Sequence, residues 1–181
     1  YECSVDDKRL AEVEVELFKS IFTGDVNAQK LRPTLYDFLM HRAIDFFRND
    51  QAYLTEPNYK YYIRGEAPFL EAKAFADHTF TAKDTSSRKF KTILLFQELL
   101  GNHLKDRDPA ALIDADLKRL KFVHQQSVDT QKDDWYIAAL EKMEKKYLGN
   151  EAVAEILYEQ STVYYRKGSQ YDPVNAPEYQ W

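Results

Sequence analysis

Four histidines and one cysteine are the side chains of this 181-residue chain best suited to metal binding or nucleophilic chemistry. His41, His78, His103 and His124 are far apart, and the sequence contains neither an HExxH nor a CxxC motif. Cys3 is the only cysteine, so no internal disulfide can form. We expect His124 at the edge of the core, because it extends an apolar helical stripe. We expect His41 at the surface, and His78 and His103 at helix ends, where positive charge is favoured.

The acidic pairs are equally unpromising as catalytic groups. Asp6-Asp7 and Asp133-Asp134 lie where helices are predicted to start, and the helix dipole accounts for carboxylates there. Asp114 and Asp116 are two residues apart on a helix and point to different sides. No glycine-rich phosphate loop and no GxSxG motif occurs. The sequence therefore predicts no enzyme activity, no cofactor and no metal site.

Tyrosine is abundant and concentrated in two stretches. Residues 51–66 carry several tyrosines among Pro57, Asn58 and Gly65 without helical periodicity, which predicts a long connection with a short extended piece from Tyr61 to Arg64. The second stretch lies on the last predicted helix. Such tyrosines usually pack in a core, but the concave face of a helical array can also use them to hold a partner. The candidate protein-contact residues are Tyr59, Tyr61, Tyr62, Tyr158, Tyr164 and Tyr165.

Helices must position these side chains, because apolar residues recur at helical spacing in about seven stretches. Several stretches open with a capping side chain or an N-terminal proline. The predicted helices span about 4–22 and 33–48, one beginning at Pro68, about 84–104, one beginning at Asp108, one from Asp133 or Asp134 to Gly149, and about 150–168.

Short links between consecutive helices predict antiparallel hairpins. We therefore expect one all-α domain over 1–181, with N-terminal helices and the tyrosine-rich connection in 1–107 and TPR-like hairpins in 108–181. The spacing of Leu157, Ser161, Tyr164 and Gly168 is similar to the first helix of a tetratricopeptide repeat, although Gln160 stands where that repeat has Leu. On this pattern Ser161 would allow close helix approach and Tyr164 would fill the hole beside it. A true superhelix and an irregular bundle both remain open.

Charge and hydropathy exclude other classes of function. Lys and Arg number 25 against 30 Asp and Glu, a formal net charge of −5, which disfavours nucleic-acid binding. No stretch of about 18 uncharged apolar residues exists, so no transmembrane segment is predicted.

Longer stretches of the sequence resemble one protein family. These are Arg32 to Phe47, Leu94 to Leu100, His103 to Val123, and Tyr164-Tyr165 with the closing 175–181. They resemble the N-terminal helical region of large alpha-2-macroglobulin-like proteins of Bacteroidetes. The family's reactive thioester requires a Cys followed closely by Glu-Gln, and Cys3-Ser4-Val5-Asp6 does not match, so no functional residue carries over.

The resemblance implies an exported protein of the cell envelope, in the periplasm or at the cell surface and in many cases a lipoprotein. The larger protein would be similar to protease-trapping macroglobulins. We therefore expect a non-enzymatic helical scaffold that contacts neighbouring domains of its own chain or another protein. The alternative is a free-standing TPR-like adaptor that binds peptide segments.

Overall fold

The computed structural model describes residues 8–18, 20, 30–49 and 60–175. Within these residues the chain is all-α and has no extended strand, as the sequence predicts. The α-helices of this described part are α1 (Leu35–Phe47), α2 (Ala72–Asp77), α3 (Arg88–His103), α4 (Ala110–Gln126), α5 (Lys132–Lys146) and α6 (Val153–Gly168).

Capping side chains begin several helices where the sequence predicts them. The Thr34 hydroxyl accepts a hydrogen bond from the Asp37 amide, and the Asp37 carboxylate accepts from the Thr34 amide at 2.9 Å, which forms a capping box at the start of α1. Ser87 caps α3 by accepting from the Phe90 amide. Gly149 follows α5 with a φ of 94°, a backbone conformation that favours glycine.

The prediction of a first helix over 4–22 is wrong for the described residues. They form two short 3-10 helices, Lys8–Glu12 and Val15–Phe18. Between them the backbone pairs with the segment before α1: the Val15 amide donates to Pro33 O at 2.9 Å, and the Leu35 amide donates to Val13 O at 2.8 Å. This pairing uses backbone groups that a continuous helix would have bonded internally.

α3 lies at the centre of the packing and contacts α1, α2 and α4. The rest of the chain continues as a succession, in which α4 packs against α5 and α5 against α6. One hydrophobic core runs through the described residues, from Tyr36 on α1 to Val163 on α6. The side-chain amide of Gln97 on α3 connects to the C-terminal end of α2, donating to the carbonyls of Phe75 at 2.7 Å and His78 at 2.6 Å.

A buried arginine holds the segment that precedes α2. Arg119 of α4 is fully buried, pairs with Asp116 at 2.7 Å and donates to the carbonyls of Pro68 and Leu70. Its guanidinium lies 4.3 Å from the centre of the Phe75 ring. The helix predicted from Pro68 is instead a 3-10 turn, Ala67–Phe69, followed by α2. Arg119 donates to one carbonyl within the turn, that of Pro68, and to one between the turn and α2, that of Leu70.

Candidate protein-contact surfaces

The tyrosine-rich connection is described only from residue 60, so Tyr59 lies outside the described residues. Residues 60–64 are not helical, and Ile63 forms an isolated bridge with Ser127 in the α4–α5 loop. The Ile63 carbonyl accepts from the Val128 amide at 3.3 Å. The ring of Tyr61 packs on the core, 5.2 Å from the Phe90 ring, and burial raises the pKa of its hydroxyl. Tyr62 points outward and is 45% exposed.

Cations flank the Tyr62 ring. The Lys60 ammonium and the Arg64 guanidinium lie 5.8 Å and 5.2 Å from its centre. Both contacts are within the range of a cation–π attraction and hold the ring on the surface. Tyr62 is thus the accessible member of this cluster, whereas Tyr61 belongs to the core.

Tyr164 and Tyr165 of α6 have opposite environments. The Tyr164 ring packs against the core, and its hydroxyl donates to Glu141 of α5 at 3.2 Å. Burial, and then the Glu141 carboxylate, raise the pKa of that hydroxyl. Tyr165 is 80% exposed, so it lies at the surface, and the alternative of a core position does not hold for it.

The outer face of α6 is an apolar stripe of five exposed residues. We define it as Ala154, Leu157, Tyr158, Ser161 and Tyr165. Leu157 is 46% exposed and Tyr158 67%. The spacing of i, i+3, i+4, i+7 and i+11 places all five within about 100° around the helix and over about 16 Å of its length. No member carries a charge.

A different face of α6 packs on α5. Its buried residues are Val153, Ile156, Gln160, Val163 and Lys167. Gln160 donates to Glu144 at 3.0 Å and Lys167 pairs with Asp134 at 2.9 Å, so two polar residues are paired within this interface. The centres of the outer stripe and of the face that packs on α5 are about 130° apart around the helix. α6 therefore has one buried face and a separate exposed apolar face.

The buried position of Gln160 shows where the tetratricopeptide-like prediction fails. Ser161, predicted as the small residue of a close helix contact, is exposed, and so is Leu157. The buried face contains Ile156 and Gln160, each one residue before the predicted Leu157 and Ser161, and Gln160 is paired there with Glu144 of α5. The small residue therefore faces solvent, in the middle of the outer stripe.

Charged side chains line the edge of α6 that faces α4. Lys121 of α4 lies 2.9 Å from Glu159 and 3.5 Å from Glu155. Further along, Arg166 lies 3.8 Å from Asp133 of α5. The side chains of Glu155 and Arg166 both remain 51% exposed, so each can still meet a partner from outside.

His124 is a core-edge histidine, as predicted. Its Nε2 lies 2.5 Å from Asp133, and its ring stacks on Tyr136 with the centres 4.3 Å apart. Burial lowers the pKa of His124, with Asp133 acting in the opposite direction. His124 is therefore a neutral donor to Asp133 at neutral pH.

The surface position predicted for His41 is wrong, because this side chain is 1% exposed. It lies between α1 and α4, with Nδ1 3.2 Å from the Lys118 ammonium and Nε2 3.8 Å from the Asp114 carboxylate. Burial and the neighbouring cations lower the pKa of His41 to about 3. His41 is thus a neutral core group that accepts from Lys118.

His103 ends α3 as predicted, but it is buried and paired rather than held by the helix dipole alone. Nε2 lies 3.1 Å from Asp37 of α1, and Nδ1 lies 2.6 Å from Asp106 in the α3–α4 loop. The pKa of His103 is raised, because these two carboxylates outweigh the burial of the ring. The pKa of Asp37 is lowered by His103 and Thr34, in spite of its own burial.

These histidines and carboxylates connect helices and are not grouped as metal ligands. Among the described residues, no set of three or more His, Cys, Asp and Glu side chains could hold a metal ion. No helix in this part of the chain is long and apolar enough to span a bilayer. Comparisons with protein families, with characterised proteins and with solved structures find no match to this chain.

Proposed function

We propose that this chain is a helical scaffold and protein-interaction module, and that the outer stripe of α6 is its contact surface. The stripe carries the proposal, because three turns of a helix expose large side chains and no charge. Aromatic residues supply much of the binding energy of protein interfaces, and exposed apolar patches mark such sites. Tyr62 is a second, smaller candidate.

The alpha-2-macroglobulin-like resemblance supplies the proposed setting. In that setting the helices belong to a larger exported protein of the cell envelope, and the stripe of α6 rests against a neighbouring domain or another protein. Its role would be to place and hold its partner without chemistry of its own. The paired, pKa-shifted histidines support a scaffold role, since each one connects helices.

Cell fractionation tests the proposed setting in a larger exported protein. An antibody raised against the chain should detect, in secreted and envelope fractions, a protein far larger than the 21.3 kDa of these residues. A cytosolic band near 21.3 kDa would overturn the larger-protein setting. The TPR-like adaptor would then be preferred, and a peptide pull-down would follow.

A further inference from the structure

We propose that α1 opens from the remaining helices as a unit, and that His41 and His103 together make its docking strongest near neutral pH and weaker on either side. The inference goes beyond the proposed function, because it concerns α1 and makes no use of the outer stripe of α6. Two features carry it: the edge position of α1, and the opposite proton requirements of two buried histidines in one interface.

α1 lies at the edge of the packing. Within the described residues it packs mainly against α3 and the 3-10 helix Lys8–Glu12, whereas α3 also contacts α2 and α4. Its 13 residues would not stay helical once undocked, because isolated helices shorter than about 12–15 residues are marginal in water. Opening of α1 would therefore free its backbone amides to exchange with solvent, as in other sub-global openings of folded proteins.

His41 fits the interface of α1 only as a neutral ring. Its Nδ1 lies 3.2 Å from the Lys118 ammonium, which can only donate, so Nδ1 must present its lone pair. Asp45 of α1 holds Lys118 as a cation at 2.9 Å, and Arg32 adds a second positive charge near His41. In the open state the ring regains an ordinary pKa of about 6.5. Opening therefore takes up a proton in acid, so falling pH favours it.

His103 fits the same interface only as a charged ring. Its Nε2 lies 3.1 Å from the carboxylate of Asp37 on α1, and its Nδ1 lies 2.6 Å from Asp106 in the α3–α4 loop. Both ring nitrogens face an ionised acceptor, so both must carry a hydrogen. Opening of α1 removes Asp37 and admits water to the ring, which weakens the hold on this proton. Above neutral pH the opening therefore releases a proton, so rising pH favours it.

Two further carboxyls face this pair of histidines. Asp114 of α4 lies 3.8 Å from His41 Nε2, and burial raises the pKa of its carboxyl. Docking thus favours a proton on Asp114, which opposes His41 in acid and makes the acidic limb shallower. Asp37 is also buried, but His103 and Thr34 lower its pKa, so it stays ionised between about pH 5 and pH 8.

The opposed histidines give the docking of α1 a maximum. One proton taken up or released shifts an equilibrium by at most about tenfold per pH unit. We expect the opening equilibrium constant of α1 to rise about fivefold to tenfold from about pH 6.5 to pH 5, through His41. It should also rise several-fold from about pH 6.5 to pH 8, through His103.

Amide hydrogen exchange of the whole chain, followed by NMR at each pH, tests the opening. The reporters are the amides of Met40 and Ile44, which are fully buried on α1, and the reference is Leu140 on α5. Each rate is divided by that of an unstructured chain at the same pH. The two reporters should open more often than Leu140, and least often near neutral pH. Equal opening with an equal pH course at all three amides would overturn α1 as a separate unit, and a change in one direction only would overturn the opposed pair.

Variants assign each limb of the pH profile to one histidine. H41Q should flatten the acidic limb and H103Q the alkaline limb, because each removes one titrating ring. H78Q is the matched control, since it replaces an exposed histidine at the end of α2 and should keep the maximum. An acidic limb that persists in H41Q, or an alkaline limb that persists in H103Q, would contradict the role of that histidine. The profile of the unsubstituted chain decides the proposal even where a variant does not fold, and the proposed function does not depend on it.

Discussion

Tyr164 and Tyr165 are adjacent in the chain, and the fold assigns them to different roles. Tyr164 contributes to the core and reaches Glu141, whereas Tyr165 extends from the outer stripe of α6. Their consequences for stability should differ accordingly. We expect Y164A to lower the free energy of unfolding by about 1–2 kcal/mol, through lost burial and a lost hydrogen bond.

Y165A is the matched control, since it removes an exposed ring from the same helix. Its free energy of unfolding should stay within about 0.5 kcal/mol of the unsubstituted chain. Urea denaturation followed by circular dichroism measures both variants. Equal losses would show that Tyr165 supports the fold and is not held free for a partner.

His103 should make stability depend on pH. Its pKa is raised in the folded chain by Asp37 and Asp106, so the stabilisation is full below the unfolded value of about 6.5 and is lost as pH rises through the folded pKa. The buried neutral histidines His41 and His124 act in the opposite direction, because the unfolded chain takes up protons on them as pH falls below about 6.5.

Denaturation of the unsubstituted chain and of H103Q across pH 5 to 8 separates these contributions (the range straddles the unfolded pKa of about 6.5). The difference in unfolding free energy between the two proteins should be largest at the acidic end and shrink towards pH 8. A difference that is constant with pH would mean that folding does not shift the pKa of His103, and a difference that shrinks towards the acidic end would mean that folding lowers that pKa.

Sequence alone placed His41 at the surface and did not predict that His103 is buried and paired with carboxylates. Asp37, which pairs with His103, and both polar neighbours of His41 come from other helices, so helical spacing within one element does not reveal them. The second partner of His103, Asp106, is near in sequence but lies in the loop after α3. His124 was predicted correctly because its position follows from the apolar stripe of its own helix.

At the scale of the element, Arg119 connects α4 to the segment around the 3-10 turn. Replacing it with Met would leave the Asp116 carboxylate buried without its cation and two carbonyls without a donor. We expect R119M to lower the free energy of unfolding by about 3–5 kcal/mol.

The double variant R119M/D116L should lose less than R119M alone, because it removes the unpaired charge together with its partner. Chemical denaturation of both variants measures the difference. If the double variant loses as much as the single one, Asp116 is not the group that Arg119 compensates, and the carbonyl contacts carry the effect.

Helices 33–48, 84–104 and those from residue 108 onward could be predicted because their caps and apolar periods are local. Thr34, Ser87 and Gly149 illustrate this. The two 3-10 helices in residues 8–18 could not be predicted, because the backbone between them bonds to Pro33 and Leu35 and not within a continuous helix. The sequence did not indicate that Gln160 is buried on the face of α6 that packs on α5, because its partner Glu144 belongs to another helix.

For the whole molecule, the core continues across the junction at residue 108. Phe96 of α3 and Phe122 of α4 meet with their ring centres 5.9 Å apart, and α6 adds Ile156 and Val163 to the same cluster. This continuity places the outer stripe of α6 at the end of a packed succession of helices. Because the packed helices already hold α6 in place, binding at this stripe would require little further ordering of the backbone.

Hydroxyl-radical footprinting measures the solvent accessibility of Tyr158 and Tyr165, and so tests most directly whether the outer stripe of α6 is a contact surface. The chain should be compared in the native cell fraction in which the antibody detects it and as the isolated 181-residue protein. Exposed Phe46 on α1 serves as the control. We predict that both tyrosines oxidise several-fold more slowly in the native fraction, with Phe46 unchanged. Equal oxidation of Tyr158 and Tyr165 in the two samples would contradict the claim that the outer stripe of α6 is a contact surface.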